Sequence, residues 1–239
     1  PGGVYRIRQN IVGFPNMTLI GDPGKTVIYL DVELSIDDND DAVLISGDSY
    51  GQIDGEMGLP FGDNNLTPSI LNCDNMHIYG IEFRSNQIPT APIRKRQVVR
   101  LSRTTNTIFE KCAFNFVGTT WTSSDSIVNA TSSVILTTYS TGASASQACN
   151  RIKFIDCPST GAAHDFNVFQ GANNISVERH WFGGMLLNSK VGYNATYDVT
   201  NPADPAIFRQ SVPTGGLSKI SMSNSLFNNY TAYAIDVFN

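Results

Sequence analysis

Proton-transfer chemistry needs a titratable base beside a carboxylate or a cation. A loose set of such groups is Asp156, the adjacent pair His164-Asp165, and Arg179. A histidine next to a carboxylate can hold or hand on a proton. Arg179 falls 23 positions after Asp156, with Glu178 beside it, so a fold that repeats at that spacing would stack the two. These four are the candidate catalytic residues, although a solvated ion pair uses the same residue types. Tyr50, Trp121, Tyr139 and Trp181 offer flat faces on which a ligand ring could stack. Asp37, Asp38, Asp40 and Asp41 form an Asp-Asn run that reads as a solvated loop. Cys73, Cys112, Cys149 and Cys157 show no Cys-x-x-Cys spacing and no nearby histidine pair, so no metal or other cofactor is expected.

Such residues need a scaffold, and composition limits which one. In 239 residues, 41% are hydrophobic and only 15% charged, against roughly a quarter in average domains. That excludes coiled coils and charged helical bundles, and a net charge of −5 on an apolar chain excludes disorder. An acidic balance argues against a nucleic-acid partner, and no run of 18 apolar residues exists to span a membrane. Lysine is scarce, while Asn reaches 22 and Ser with Thr 41, a balance that leans extracellular. Asn-x-Ser/Thr sequons start at Asn16, Asn65, Asn129, Asn174, Asn194 and Asn229.

Internal similarity carries the fold reading. Five segments share one template: apolar at a first position, apolar two residues on, small or apolar at +5, and often Phe at +7. They begin at Met76, Thr107, Ile152, Ile175 and Ile220, in steps of 31, 45, 23 and 45. Period-two alternation is the mark of a strand, and the Val, Ile, Phe and Thr content agrees. A unit of about 23 residues with loop insertions accounts for the steps if each step of 45 skips one degenerate copy. No sustained helical period and no leucine-rich repeat is present, so the expected fold is an all-β solenoid of stacked coils. Ile78, Phe83, Phe109, Phe114, Phe154, Val177, Phe182, Met222 and Phe227 are its expected core. Cys112 and Cys157 share the +5 offset and are expected as buried thiols, two coils and roughly 10 Å apart, beyond disulfide reach.

A second regularity lies at the start of each unit. Asn16, Asn75, Asn106 and Asn174 immediately precede Met17, Met76, Thr107 and Ile175, and Asn150 stands two before Ile152. Asn tolerates the left-handed backbone of a tight corner, and stacked amides can bond one another from coil to coil. Such an asparagine ladder would enclose Asn16 and Asn174 and so bar them from glycosylation. Asn65, Asn129, Asn194 and Asn229, in polar loop-like stretches, remain the candidate glycosylation sites.

The unit length, the strand-corner-strand template and the asparagine column resemble the right-handed, single-stranded parallel β-helix of the pectin-lyase-like superfamily. Ser49–Gly55 followed by Pro68–Ile78 resembles an early pair of coils in polygalacturonases. Pro1–Arg6, Met17–Asp22, Gln97–Leu101 with Phe109–Cys112, and Gly161–Phe169 resemble parts of plant-type pectin methylesterases. The resemblance implies one β-helix domain over residues 1–239 and a carbohydrate partner. It carries over only Gln97, as a substrate-binding amide, and Asp165, as a catalytic carboxylate; Trp121 and Tyr50, read from their residue type, would then be sugar platforms.

The families' full catalytic sets are not present. Val117–Ser123 stands where a methylesterase would carry a glutamine and an aspartate, and no polygalacturonase aspartate set precedes Arg151-Ile152-Lys153. The leading expectation is therefore an extracellular, carbohydrate-directed β-helix that binds or processes a polysaccharide, as in a phage or virus tailspike or a secreted wall-polysaccharide protein. A non-catalytic fibre or appendage segment and a degenerate pectin methylesterase relative are the alternatives, and enzymatic activity is left open. The opening Pro1-Gly2-Gly3 and the ending Asp236–Asn239 carry no capping helix. They suggest a segment of a longer chain or of a homotrimer, filament or virion assembly.

Overall fold

The computed structural model describes residues 2–8, 10–31, 42–46, 73–86, 97–102, 104–117, 132–137, 149–161, 164–168, 173–182, 206–211, 220–227 and 233–238. Among them every regular element is a β-strand, and every strand pairing is parallel. Parallel strands need crossovers, and here each crossover passes through two other sheets before the chain returns.

Three sheets result. The first contains Gly3–Ile7, Thr26–Leu30, Ile81–Asn86, Ala113–Val117, Ser159–Thr160, Trp181–Phe182 and Leu226–Phe227, in that order. The second runs Ile11–Val12, Leu44–Ser46, Gln97–Ser102, Ser132–Thr137, His164–Val168, Ala206–Ser211 and Tyr233–Phe238. The third runs Thr18–Ile20, His77–Tyr79, Thr104–Glu110, Asn150–Ile155, Asn173–Glu178 and Ile220–Ser223, with Cys73–Asp74 also paired to Thr104–Glu110. The chain visits first, second and third sheet in turn, and each circuit pairs with the circuits before and after it. This topology is compatible with a parallel β-helix.

The repeated template maps onto the third sheet, its following corner and the first sheet. Thr107 pairs with Ile152, Ile152 with Ile175 and Ile175 with Ile220. The steps of 45 are thus single circuits carrying long connections, which corrects the expectation that each skips a copy. A step count cannot separate one long circuit from two short ones; strand register can. Cys112 and Cys157 accordingly lie on neighbouring circuits rather than two apart, and both are buried thiols.

Side chains at the first and +2 positions point inward because alternate strand residues take opposite faces. Ile78, Phe109, Phe154 and Val177 are buried, as are Phe83 and Phe114 from the first sheet. Met222 packs against this core, while the side chains of Phe182 and Phe227 lie outside the described residues. The rings interlock: Phe109 stacks on Phe154 at 5.1 Å and Phe83 on Phe114 at 6.3 Å. Phe114 also meets Phe109 and Phe154 edge-on at 5.8 and 6.0 Å. Two buried polar pairs lie inside this core. Ser46 Oγ and Thr104 Oγ1 lie 2.5 Å apart, and Ser159 Oγ lies 2.8 Å from His180 Nε2.

Candidate functional site

Among the described residues, left-handed backbone recurs at two corners along the third sheet, one at the residue before the template start and one at the end of the strand, on five circuits each. The first is occupied by Asn16, Asn75, Asn106, Arg151 and Asn174, with φ of 62°, 59°, 49°, 58° and 53°. The second is occupied by Gly80, Lys111, Asp156, Arg179 and Asn224, with φ of 69°, 52°, 54°, 51° and 51°. Left-handed backbone costs an ordinary residue roughly 1–2 kcal/mol and Asn less, because a short amide can bond locally. At Gly80 a side chain would be obstructed as well as strained. An added Cβ would run into Gly21 O and lie 2.9 Å from Pro23 Cδ.

The first corner builds an amide column. Asn75 Nδ2 donates to Asn16 Oδ1 at 3.2 Å, and Asn174 Nδ2 donates to Asn150 Oδ1 at 2.9 Å. Between them Arg151, not Asn150, takes the left-handed position, at the same offset from Ile152 as Asn174 from Ile175. All five corner residues are exposed. The expectation that Asn16 and Asn174 are enclosed is therefore corrected: residues on the outside of a corner meet their neighbours along the column and still face solvent. Their exclusion from glycosylation loses its steric reason.

Beside this column the outer face of the third sheet holds a groove of about 520 Å³, lined by Asn106, Ile108, Arg151, Lys153 and Asn174. Its donors are amides and cations, with one apolar side chain between them. Arg151 and Lys153 have +1 spacing on either side of inward-pointing Ile152, so both emerge on the same face. Neither was singled out from sequence as a binding residue. The signal was the constant offset: Arg151 stands immediately before a template start, as the asparagines do.

The second corner builds a charged column. Arg179 binds Asp156 through two bonds, Nε to Oδ1 at 2.7 Å and Nη2 to Oδ2 at 3.0 Å, and also contacts Glu178. Lys111 Nζ donates to Tyr79 Oη at 3.3 Å, and His77 Nε2 approaches Glu110 Oε2 at 3.7 Å. The Arg179 hydrogen bond outweighs a small desolvation and, helped by the Arg179 and Lys111 charges, holds the Asp156 carboxyl below its ordinary range. The Tyr79 contact raises the Lys111 ammonium, and the bond from Asp156 raises the Arg179 guanidinium. Asp156, Lys111 and Arg179 are thus held in their charged forms, which suits a fixed electrostatic surface and not a proton donor working near neutrality.

The four candidate catalytic residues are therefore divided. Asp156 and Arg179 meet at this corner, whereas His164 and Asp165 begin a strand of the second sheet and their side chains lie outside the described residues. Gln97 opens another second-sheet strand, and its backbone partner Ser132 pairs in turn with His164. Trp121, Tyr50 and Tyr139, the glycosylation candidates Asn65, Asn129, Asn194 and Asn229, and the acidic run 37–41 fall outside the described residues. Trp181 is 41% exposed on the first sheet, paired with exposed Leu226. Sequence reasoning passed over His180, which occupies the buried +5 position where an apolar residue is the rule. Burial pushes its pKa down to about 3, so it stays neutral and bonded to Ser159. Enclosed on all sides, the pair has no route to a ligand. No group of three or more metal-ligating side chains occurs among the described residues. The chain matches no family model, no curated protein and no solved structure.

Proposed function

We propose that this protein is a right-handed parallel β-helix of the pectin-lyase-like kind that binds a polysaccharide outside the cell or on a virion surface. The observation that carries this reading is the groove beside the amide column. Asn106 and Asn174 present amides that can donate and accept, Arg151 and Lys153 add charge-assisted donors, and Ile108 supplies an apolar floor. Hydroxyl-rich chains are recognised by that combination of donors and a small apolar surface. The groove runs along a sheet whose strands repeat every ~4.8 Å, a rigid support for an extended polymer. Three in-register parallel sheets visited in turn support the β-helix reading, and the resemblance of the coil motifs supports the carbohydrate class.

Binding without turnover fits the charges better than hydrolysis. Glycosidic cleavage asks one carboxyl to keep its proton near neutral pH, and Asp156 is held ionised by Arg179. The test is affinity electrophoresis against a panel of neutral and acidic polysaccharides, with parallel assays for reducing ends, unsaturated products and released methanol. Retardation by at least one glycan is expected, weakened roughly tenfold per lost charge-assisted bond in Lys153→Gln or Arg151→Gln. Absence of binding to every glycan would overturn the reading in favour of a purely structural rod. Product formation that Asp165→Asn abolishes without altering melting would restore an enzyme.

A further inference from the structure

Four buried cysteines sort into two interior columns, and the columns differ in one respect that chemistry can read. Thr104 pairs with Cys73 on one side, and its neighbour Thr105 pairs with Asn150 on the other, which places Cys149 opposite Thr104. Cys73 and Cys149 are thus separated by a whole circuit, about 10 Å at the spacing of parallel strands. Cys112 and Cys157 have nothing between them. Glu110 pairs with Ile155 and Phe114 with Ser159, so equal chain lengths on both sides set Cys112 directly opposite Cys157. The bonds Lys111 N to Ile155 O at 2.9 Å and Phe114 N to Pro158 O at 3.0 Å close the frame around them.

We propose that Cys112 and Cys157 are a dithiol that closes to an inter-circuit disulfide under oxidising conditions, while Cys73 and Cys149 stay reduced. In-register neighbours have Cα atoms ~4.8 Å apart, inside the range a disulfide spans, whereas about 10 Å lies outside it. Both sulfurs point into the same interior column: Cys112 Sγ lies 3.5 Å from Ile78 O, and Cys157 Sγ 3.5 Å from Phe109 O. The two thiols also differ in acidity. Burial raises both, but bonds from Cys157 and from the Ile81 and Glu110 backbone bring Cys112 below its ordinary value, while Cys157 stays well above. Cys112 is thus the thiol that ionises first and attacks.

The step balances with a small disulfide as oxidant. Cys112 thiolate attacks oxidised glutathione, expelling one glutathione as thiolate and leaving a mixed disulfide on Cys112 Sγ. Cys157 then gives its proton to the released thiolate and attacks Cys112 Sγ, expelling the second glutathione as thiolate. Two protein thiols are oxidised and one glutathione disulfide is reduced to two thiols.

Four cysteines allow three full pairings, and six different single bridges, so the outcome is specific. The whole chain is equilibrated in glutathione buffers from reducing to oxidising, both as the native protein and during refolding from the reduced, denatured state. Remaining thiols are alkylated in denaturant and peptides mapped by mass spectrometry. The expected result is a fall from four alkylated cysteines to two, with Cys112 joined to Cys157 and Cys73 and Cys149 labelled. A bridge seen only in the refolding arm still supports the pairing, since burial then limits reagent access alone. In Cys112→Ser all three remaining thiols should stay alkylated at every potential. Four labelled cysteines in both arms, or any bridge through Cys73 or Cys149, would overturn the proposal.

Discussion

The leading and trailing corners of the third sheet make the same backbone demand and meet it with different chemistry. The leading corner is filled by Asn four times and by Arg151 once; the trailing corner by Gly80, Lys111, Asp156, Arg179 and Asn224. In the leading column, neighbouring amides donate to one another, and a donor-acceptor amide can repeat along a column without limit. In the trailing column, ions must alternate, and Lys111, Asp156 and Arg179 do so. The left-handed turn is thus a property of the circuit, and the side chain placed on it sets what the corner does. An amide column faces a groove; an ionic column ties one circuit to the next.

Both corners rest on the same interior, which gives the largest expected effect. Phe114 touches Phe83, Phe109 and Phe154 and is wholly enclosed. Phe114→Ala should cost about 3–5 kcal/mol of unfolding free energy in urea titrations. If hydrogen exchange then speeds at both corners together, they belong to one cooperative unit; acceleration at the trailing corner alone would divide them.

The next effect separates the corners by pH. His180 follows Arg179 into the interior, whereas the residue that follows Asn174 is Ile175. The folded pKa of His180, about 3, lies below an unfolded value near 6.5. Its neutral form is favoured in the fold, so its contribution is present above pH 6.5 and is lost as pH falls toward 3. The slope is about 1.4 kcal/mol per pH unit in that window, or roughly 3 kcal/mol between pH 6.5 and 4. Denaturant midpoints taken across this range should fall accordingly, and His180→Asn should flatten the dependence. An unchanged slope in the variant would move the acid sensitivity elsewhere.

How much of this was readable beforehand differs between the sheets. Period-two alternation exposed the third sheet and its continuation into the first, because those strands are joined by a corner of constant length, and it marked Phe109, Phe114 and Phe154 as core. The second sheet stayed hidden because connections of unequal length isolate its strands from the template, so Gln97 lies 10 residues before Thr107 while its partner Ser132 lies 20 before Ile152. The stacking of Asp156 and Arg179 followed from their separation of 23 residues. Their left-handed backbone did not, since Lys, Asp and Arg carry no strong preference for it and circuit geometry imposes it. The groove was missed for a related reason: Arg151 and Lys153 become neighbours of Asn106 only once a step of 45 is known to be one circuit.

Relieving left-handed strain tests whether the two corners differ in what their side chains contribute. Arg151→Gly removes a Cβ penalty at an exposed leading corner and should stabilise the fold by about 1 kcal/mol. Arg179→Gly removes the same penalty and also both bonds to Asp156, so its gain should be visibly smaller than that of Arg151→Gly. Equal gains from the two glycines, compared by thermal melts at one pH and salt concentration, would mean that the ionic column adds nothing to the backbone it sits on.

The smallest effect is the acid limb of that ionic column. Asp156 has a folded pKa below its unfolded value near 3.9, so its contribution is present above that pH and fades as pH falls through the lower, folded value. The pair is half-exposed, and exposed pairs are weakened by salt and by the freedom of their side chains. Asp156→Asn should therefore leave melting at pH 7 almost unchanged in high salt and lower it slightly in low salt. As pH falls below the folded value, wild type and variant should converge, because protonation has then removed the charge that the substitution removes. The same series on Asn174→Ala should show no dependence on salt or on pH in this range, since an amide column carries no charge to screen or titrate. A salt-dependent Asn174→Ala or a salt-independent Asp156→Asn would each erase the distinction between the corners.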